Sequence, residues 1–349
     1  MTTNKSILKH FLRSEPDIFN EPKYELLRRT NAKLGLWEFT ALAFNLFMLL
    51  MFIYLGTTNY NGFGDYQIYL RASKGEFSAV ENNYEWGYYY AYWLLPFVRL
   101  LSYLPYRVGI LIWGSMNLLG LFFGARVFGN KSSLVLLTYQ SLSVLFIGQI
   151  SGIIVGGLGL LWYSLRTERW FLASVGIMIA SMKYHVGGLV WIALLFLVDK
   201  PMRRKIQVLL VCGLLFGLSL AVYSNWPLEV FERIQQAPPS EQSNIALWTW
   251  LGPAVLLLWV PPLLLPLTKQ HRLIALISTL SIAIPYFQQH DLLILYVFPV
   301  GLLASLGNLG FSLFFLDFAW IKLLAIVPLL AYGFVIVPAF SKLLKERFA

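Results

Sequence analysis

Apolar runs of about twenty residues recur along almost the whole chain, and no other feature of the sequence constrains its fold so strongly. A backbone that crosses a bilayer has to satisfy its own hydrogen bonds, and a helix of roughly 20 residues does so across about 30 Å of hydrocarbon. The alternating ten-residue segments of a membrane barrel are absent from the sequence. A mean hydropathy of +0.65, with 58% hydrophobic and 13% charged residues, excludes a water-soluble domain. The sequence therefore predicts an all-α polytopic membrane protein.

The basic residues lie in short segments between the apolar runs, and their placement indicates topology. The net charge of +10 is spread through these segments, so we expect no binding of nucleic acid. Seven Lys and Arg residues within 1–38 predict a cytoplasmic N-terminus. We accordingly expect a cytoplasmic basic segment over 1–35, one membrane domain over 36–340 and a short basic tail over 341–349.

Residues 57–104 are predicted to form a first external loop followed by an interfacial helix. The stretch 89–104 is rich in Tyr and Trp, is short, and contains Pro96 and Arg99. If it does not cross the membrane, the later basic loops fall inside, including the cluster 200–205. Ten to eleven spans follow from this count, at about 36–56, 106–125, 133–148, 150–165, 170–184, 186–198, 206–223, 247–267, 272–287, 291–307 and 318–339. The last span would leave Lys342, Lys345 and Arg347 outside, so the side of the C-terminus stays open.

Four polar spots interrupt or flank the apolar runs, and the predicted topology places all of them on the outer side. They are Asp65, Gly148-Gln149, Lys183-Tyr184-His185 and Gln289-His290-Asp291. Ionisable residues at a helix bundle's membrane boundary are costly unless they face water or a partner. We therefore expect one external cavity to collect them.

Each spot also has a plainer interpretation. Asp65 could be a solvated loop carboxylate or a helix cap. The alkyl chain of Lys183 could extend so that its ammonium group reaches the membrane–water interface. Gly148-Gln149 is compatible with ordinary close helix packing, and His290-Asp291 with a turn. The only cysteine, Cys212, excludes an internal disulfide and a thiolate metal site.

Together, a carboxylate, a lysine and a histidine suit transfer from a phosphate-linked donor. A carboxylate accepts the acceptor's proton, and cations stabilise the leaving phosphate. The sequence contains no zinc spacing, no P-loop and no dinucleotide glycine fingerprint, so neither a metal nor a nucleotide cofactor is expected. A divalent ion held by Asp65 and Asp291 is left open. A transporter or flippase of lipid-linked substrates is the alternative, although such proteins more often carry polar residues at mid-membrane within repeated halves.

The order of the motifs resembles the GT-C-fold glycosyltransferases that use polyprenyl-phosphate mannose, in particular the DUF2029 (GT87) group. The resemblance covers roughly residues 35–305. It is carried by Gly-Asp-Tyr-Gln-Ile-Tyr-Leu-Arg-Ala-Ser-Lys-Gly at 64–75, Tyr-Ala-Tyr-Trp-Leu-Leu-Pro at 90–96, Gly-Gln-Ile-Ser-Gly-Ile-Ile-Val-Gly-Gly at 148–157, Ala-Ser-Met-Lys-Tyr-His at 180–185, Gln-Ser-Asn-Ile-Ala-Leu-Trp-Thr-Trp-Leu at 242–251 and Gln-His-Asp-Leu-Leu-Ile-Leu at 289–295.

The resemblance implies an inverting glycosyltransferase of the bacterial plasma membrane whose site faces outside. Asp65 would be the catalytic base, and Lys183, His290 and Gln149 would bind the donor phosphate. Tyr69, Tyr184 and Asp291 are further candidates for substrate contact. The expected partners are membrane lipids, a lipid-linked sugar donor, with mannose the expected sugar, and a glycan, lipid or protein acceptor.

Overall fold

The computed structural model describes residues 17–56, 62–81, 84–236, 244–301 and 303–348. Residues 1–16 of the expected N-terminal segment, part of the first external loop at 57–61, and the loop 237–243 with its two prolines lie outside the described residues.

The described chain is helical apart from one short hairpin of antiparallel strands, in which Ser78 pairs with Gly87 and Glu81 with Tyr84. Helices of the first half are α1 (Lys23–Thr30), α2 (Leu36–Gly56), α3 (Gly64–Ser73), α4 (Leu95–Ser102), α5 (Tyr106–Phe128), α6 (Ser132–Leu136), α7 (Tyr139–Ile147) and α8 (Ser151–Thr167), with strands β1 (Ser78–Glu81) and β2 (Tyr84–Gly87) between α3 and α4. Helices of the second half are α9 (Trp170–Ala180), α10 (Leu189–Leu197), α11 (Met202–Tyr223), α12 (Trp226–Gln236), α13 (Trp248–Leu251), α14 (Val260–Leu264), α15 (Lys269–Ala283), α16 (Leu293–Tyr296), α17 (Leu303–Leu306), α18 (Leu309–Leu316) and α19 (Ile326–Phe348).

By length and composition, five helical runs of the described chain can cross a membrane, which supports a multi-pass membrane protein. They are Leu36–Gly56, Tyr106–Phe128, Trp170–Leu197, Met202–Tyr223 and Trp320–Arg347. A sixth results if α7 and α8, bent by 115° at Gly148, count as one span. These are fewer than the expected ten to eleven, because most of the other expected spans are broken into shorter helices. Hydropathy reports how long an apolar run is, but it does not report whether the backbone stays straight.

The run Trp170–Leu197 is folded back on itself and is not one straight helix. At about 1.5 Å per residue, its 28 residues would separate the two ends by about 42 Å. Instead Lys200 Nζ lies 2.9 Å from Glu168 Oε1, just beyond those ends. Within the run, Trp191 Nε1 donates to Ser181 Oγ at 2.8 Å. Residues 181–188, in tight and wide helical turns, connect two antiparallel helices, as the expected spans 170–184 and 186–198 require.

The helices connect two ends of the bundle that differ in charge. Helix α8 begins at Ser151, beside Lys183 and Asp291, and ends at Thr167 beside the Glu168–Lys200 pair. We call the first end the site end and the second the basic end. The basic end holds Arg29, Arg126, Arg166, Lys200, Arg204 and Lys269, whose hydrogen bonds, ion pairs and ring contacts join neighbouring helix ends.

The segment before α5 stays at the site end. Ala91 N donates to Met182 O at 3.1 Å, in the turn after α9, and Trp93 Nε1 donates to Met178 O at 3.0 Å, in the last turn of α9. The following helix α4 has eight residues and cannot cross a bilayer. The expected helix over 89–104 is shorter in the structure, a tight turn at Tyr92–Leu94 followed by α4, and its interfacial position stays a prediction.

The C-terminal helix starts at the site end and runs toward the basic end. Residues 318–325 pack against the turn 289–292 at the site end, and α19 then runs to Phe348. The helix α18 (Leu309–Leu316) lies within the stretch expected to be a loop and leads back to the site end, although its eight residues are too few to cross a bilayer alone. The basic residues Lys342, Lys345 and Arg347 are therefore the last turns of α19 and lie toward the basic end.

The tight turn between α9 and α10 predicts a specific sensitivity at Gly187. A Cβ atom there would lie 2.0 Å from Ala180 O, so Gly187→Ala should force the two helices apart. Overpacking of this kind costs about 1–3 kcal/mol, which we expect to appear as a lower melting temperature of the protein in detergent. Gly217→Ala is the matched control, because no atom lies within 4 Å of a Cβ at that position. Equal melting of the two variants would contradict the folded-back arrangement.

Candidate functional site

The centre of the site is a buried ion pair between Lys183 and Asp291. Lys183 Nζ lies 2.8 Å from Asp291 Oδ1 and 2.6 Å from Oδ2, and the two side chains are 2% and 0% exposed. Ser151 Oγ at the start of α8 donates to Asp291 Oδ1 at 2.8 Å. A buried charge needs such a partner and such hydrogen bonds. The pair therefore ties the α9–α10 turn, the turn before α16 and the start of α8 together.

His290 lies beside the pair as a buried imidazole. Its Nε2 is 3.5 Å from Lys183 Nζ, and its Nδ1 has no hydrogen-bond partner among the described atoms. Burial lowers the pKa of His290 to about 3, with Lys183 adding to the effect and Asp291 opposing it. The ring is therefore neutral. Since the ammonium of Lys183 can only donate, Nε2 is an acceptor and the ring proton is on Nδ1.

Asp65 is positioned by an unusual start to α3. Phe63, just before the helix, has a left-handed backbone (φ 64°), which is uncommon for an aromatic residue. Its buried ring and a 2.9 Å hydrogen bond from Phe63 N to Phe146 O hold that conformation. Gly148 permits the close approach, because a Cβ there would lie 2.7 Å from the Cβ of Tyr66. Asp65 therefore lies in the first turn of α3, beside the bend between α7 and α8.

The electrostatics of Asp65 differ from those of an exposed loop carboxylate. Burial raises its pKa to about 6, with Asp291 adding to the rise while Lys183 and a hydrogen bond from Gln149 oppose it. Burial would also raise the pKa of Asp291, but Lys183 and His290 outweigh it and hold that pKa below its usual range. The site thus contains two carboxylates with separated pKa values, one firmly ionised and one that titrates close to neutral pH.

Gln149 links Tyr69 of α3 and Tyr90 to the residues around Lys183. Its Oε1 accepts hydrogen bonds from Tyr69 OH at 3.0 Å and Ile150 N at 2.9 Å, and its Nε2 donates to Tyr90 OH at 3.1 Å. Its Nε2 lies 3.4 Å from Gln288 Oε1. The same Gln288 oxygen accepts a hydrogen bond from Lys183 Nζ at 3.3 Å, so the Gln288 amide connects Gln149 to Lys183.

An apolar cavity of about 300 Å³ opens beside Lys183. It is enclosed by the α9–α10 turn, by α12 and by residues 284–288, and Lys183, Tyr184, His185, Ile234, Tyr286 and Gln288 are among its lining residues. A second groove of about 290 Å³ shares Leu189 with the first and follows α10 and α15 toward Arg272 at the basic end. The polar cluster therefore lies next to an apolar path along the outside of the bundle.

The structure brings the predicted site residues together, although their surroundings differ. Lys183, His290, Asp291 and Gln149 are connected by direct contacts and through Gln288, and Asp65 interacts electrostatically with Lys183 and Asp291. Tyr69 is fully buried against Gln149, whereas Tyr184 is 37% exposed on the cavity wall.

Sequence reasoning missed Tyr90, Ser151 and Gln288 as members of this network. Each lies within, or one residue before, a motif that the sequence analysis identified, so proximity along the chain was the available signal. Their hydrogen-bond partners are 59 to 140 residues away, and only the fold brings these residues together.

Among the residues that the structure describes, no three His, Cys, Asp or Glu side chains are grouped as ligands of a metal ion. Comparison with protein-family models, with curated proteins and with solved structures finds no match for this chain. The resemblance to the GT-C glycosyltransferases therefore rests on the motifs themselves and on what their residues do in the site.

The buried pair predicts a large effect of removing one partner. Asp291→Asn leaves Lys183 without a counter-charge and should destabilise the protein by about 3–5 kcal/mol, whereas Lys183→Met combined with Asp291→Leu should recover most of that loss. Thermal unfolding in detergent measures both. Glu346→Gln, which removes one partner of the exposed Lys342–Glu346 pair at 3.6 Å, should barely change the melting temperature. If Asp291→Asn behaves like Glu346→Gln, the pair is solvated and Lys183 merely reaches the interface.

Proposed function

We propose that the protein is an integral-membrane glycosyltransferase that transfers a sugar from a polyprenyl-phosphate donor to an acceptor hydroxyl with inversion. The observation that supports this best is the joining of four separated sequence motifs in one network, in which a half-buried carboxylate lies near a buried cation and beside an apolar cavity. A site with paired carboxylates of separated pKa suits acid–base chemistry.

In the proposed reaction Asp65 is the general base. It accepts the proton of the acceptor hydroxyl as the hydroxyl oxygen bonds to the anomeric carbon. The bond from that carbon to the phosphate oxygen breaks on the opposite face, and the electron pair leaves with the phosphate. A single displacement of this kind inverts the anomeric centre. Asp65 suits the role because its pKa of about 6 leaves it ionised, yet basic, at neutral pH.

Lys183 and His290 would stabilise the charge on the leaving phosphate. Two of the three N–H donors of Lys183 are directed at Asp291, and the third is shared between Gln288 and His290. A phosphate oxygen that enters from the cavity would replace the Gln288 oxygen on Lys183. The Nδ1–H of His290 is a second donor with no partner among the described atoms. Such donors act strongly where water is excluded.

The apolar surroundings favour an amphiphilic donor over a soluble sugar nucleotide. Lys183 lies in the wall of a cavity that is otherwise mostly apolar, and the adjoining groove is almost wholly apolar. A hydrocarbon chain along this path would keep its phosphate at the site end. The charge difference between the two ends also supports a cytoplasmic basic end, and hence a site that faces away from the cytoplasm. Helix α1 and the end of α19 would then lie on the cytoplasmic side.

The assignment of Asp65 is tested by Asp65→Asn, which keeps the shape but cannot accept a proton. General-base catalysis contributes about 10²–10⁴-fold, so transfer of label from polyprenyl-phosphate [¹⁴C]mannose to a membrane-lipid acceptor fraction should fall at least about a hundredfold. Binding of the donor should persist, because Lys183 and His290 are unchanged.

Glu76→Gln is the matched control, since Glu76 is an exposed carboxylate at the end of the same helical segment. If Glu76→Gln loses transfer and Asp65→Asn keeps it, the base is misassigned. If the wild-type protein moves the intact donor between the leaflets of a vesicle without transferring its sugar, the transporter alternative holds instead.

The raised pKa of Asp65 predicts the pH dependence of transfer. The ionised form is the active base, so kcat/KM should be level above the pKa of about 6 and fall about tenfold for each pH unit below it. The measurement is the rate of transfer at low donor concentration between about pH 4.5 and about pH 8. The residual activity of Asp65→Asn should not fall in this way at low pH. If kcat/KM of that variant still falls below about pH 6, the titrating group is not Asp65.

A further inference from the structure

Helix α12 lies along the side of the cavity that opens beside Lys183. A turn at Ser224, whose backbone is left-handed (φ 50°), separates it from α11. In the first turn of α12, Trp226 Nε1 donates back to Ser219 Oγ on α11 at 3.2 Å. Near the other end of α12, Ile234 lies in the wall of the cavity. The helix therefore runs from the end of α11 to the cavity and does not extend away from the bundle.

The inner face of α12 is fixed to the chain before α4 by Arg233. Its guanidinium donates to Tyr88 O at 2.6 Å and to Tyr92 OH at 3.0 Å, and it lies 5.1 Å from the centre of the Phe77 ring. In the first turn, Trp226 stacks on Tyr92 with the ring centres 5.5 Å apart. Arg233 is the only cation in α12, all of which the structure describes, and it is engaged on the inner face. The outer face of the helix therefore presents no basic group.

The apolar residues of α12 continue beyond the part that the protein covers. Leu228 and Phe231 are 60% and 58% exposed, whereas Val230 is buried. Residues three apart are neighbours on a helix surface, so Ile234, Phe231 and Leu228 form one apolar stripe. This stripe begins in the cavity wall and ends on the outside of the protein, and the exposed Glu232 lies beside it. A helix with an apolar stripe and a polar face of this kind suits a membrane surface.

The protein surface that adjoins the stripe belongs to a helix that can cross the membrane. Helix α11 has 22 residues and is about 33 Å long, close to the thickness of the hydrocarbon core. Exposed aliphatic side chains follow one side of α11 at intervals of four residues, namely Leu214, Leu218 and Val222. Since α11 ends at Tyr223 and α12 begins at Trp226, α12 starts at the membrane boundary. The bilayer that covers α11 is therefore the surface next to the exposed part of the stripe.

We propose that α12 lies in the membrane surface at the site end, with Leu228 and Phe231 among the lipid chains, and that the cavity beside Lys183 opens to the bilayer along this helix. Apolar burial holds the helix there, because its exposed charged groups, Glu229 and Glu232, are acidic. A zwitterionic bilayer is therefore a sufficient partner. One consequence rests on the proposed function: a lipid-linked donor would reach Lys183 sideways from the membrane.

Spin labels at single cysteines measure the depth of each position in the bilayer. Cys212→Ala removes the only cysteine of the chain, and a nitroxide is then attached at Phe231→Cys or Leu228→Cys in phosphatidylcholine nanodiscs. Collisions of the label with oxygen, which dissolves in hydrocarbon, are compared with collisions with a water-soluble nickel chelate. Both labels should favour oxygen and lie about 5–10 Å into the boundary between headgroups and acyl chains. Addition of anionic phosphatidylglycerol should leave this depth unchanged, and insertion that requires the anionic lipid would overturn apolar burial as its cause.

Glu232→Cys is the matched control, because position 232 follows Phe231 directly but lies on the polar face, where the label should favour the nickel chelate. Equal access of the chelate to Phe231→Cys and Glu232→Cys would overturn the proposal in favour of a solvated helix. Shielding of the Phe231→Cys label from both reagents would overturn it in favour of contact with another protein.

The opening of the cavity is tested separately at Ile234→Cys. A label there should also favour oxygen, because Ile234 continues the stripe into the cavity wall. If this label does not favour oxygen, the cavity does not open to the bilayer. None of these measurements needs turnover, so a failed transfer assay would reject the proposed function and leave the position of α12 decided by the spin labels.

Discussion

The buried contact between Lys183 and Asp291 is the interaction on which the site end depends. Neither charge can be buried alone, because the desolvation of an unpaired ion costs several kcal/mol. Each side chain therefore fixes the position of the backbone that carries the other. Ser151 extends the constraint to the start of α8 through a 2.8 Å hydrogen bond to Asp291. Three chain segments more than thirty residues apart are thus held by one electrostatic requirement.

Close helix packing makes this contact possible. A Cβ on Gly120 of α5 would lie 2.2 Å from Gly152 O of α8, and a Cβ on Gly176 of α9 would lie 2.5 Å from Leu161 N. In an apolar environment helices associate mainly through such close packing. Helices α5, α8 and α9 therefore form a rigid support, with Gly148 and Gln149 at its site end. The catalytic candidates extend from turns at the ends of this support, where polar side chains have room and reach one another.

The proposed chemistry follows from the combination of rigidity and polarity. Lys183 and Asp291 neutralise each other, so the local field at Asp65 is moderate and its pKa stays close to neutral pH. In the proposed reaction the cavity beside Lys183 would admit an apolar chain with an anionic head. In this arrangement the base, the cations and the hydrocarbon path are supplied by different elements, and no single motif would perform the reaction.

The sequence by itself determined the class of fold, the hairpin around Lys183 and the identity of the polar residues that share one end, because hydropathy and loop charge are local properties of the chain. The number of long spans and the direction of α19 were decided by the tertiary structure, since breaks within apolar runs depend on what packs beside them. The tertiary structure also decided the hydrogen-bond partners of Lys183 and Gln149. The residue types at 149 and 183 suit phosphate binding equally well in isolation. Only the fold shows that Lys183 is paired with Asp291 and that Gln149 is hydrogen-bonded to Ile150, Tyr69 and Tyr90. An amide or an ammonium takes its chemical role from the donors and acceptors around it, and those come from distant parts of the chain.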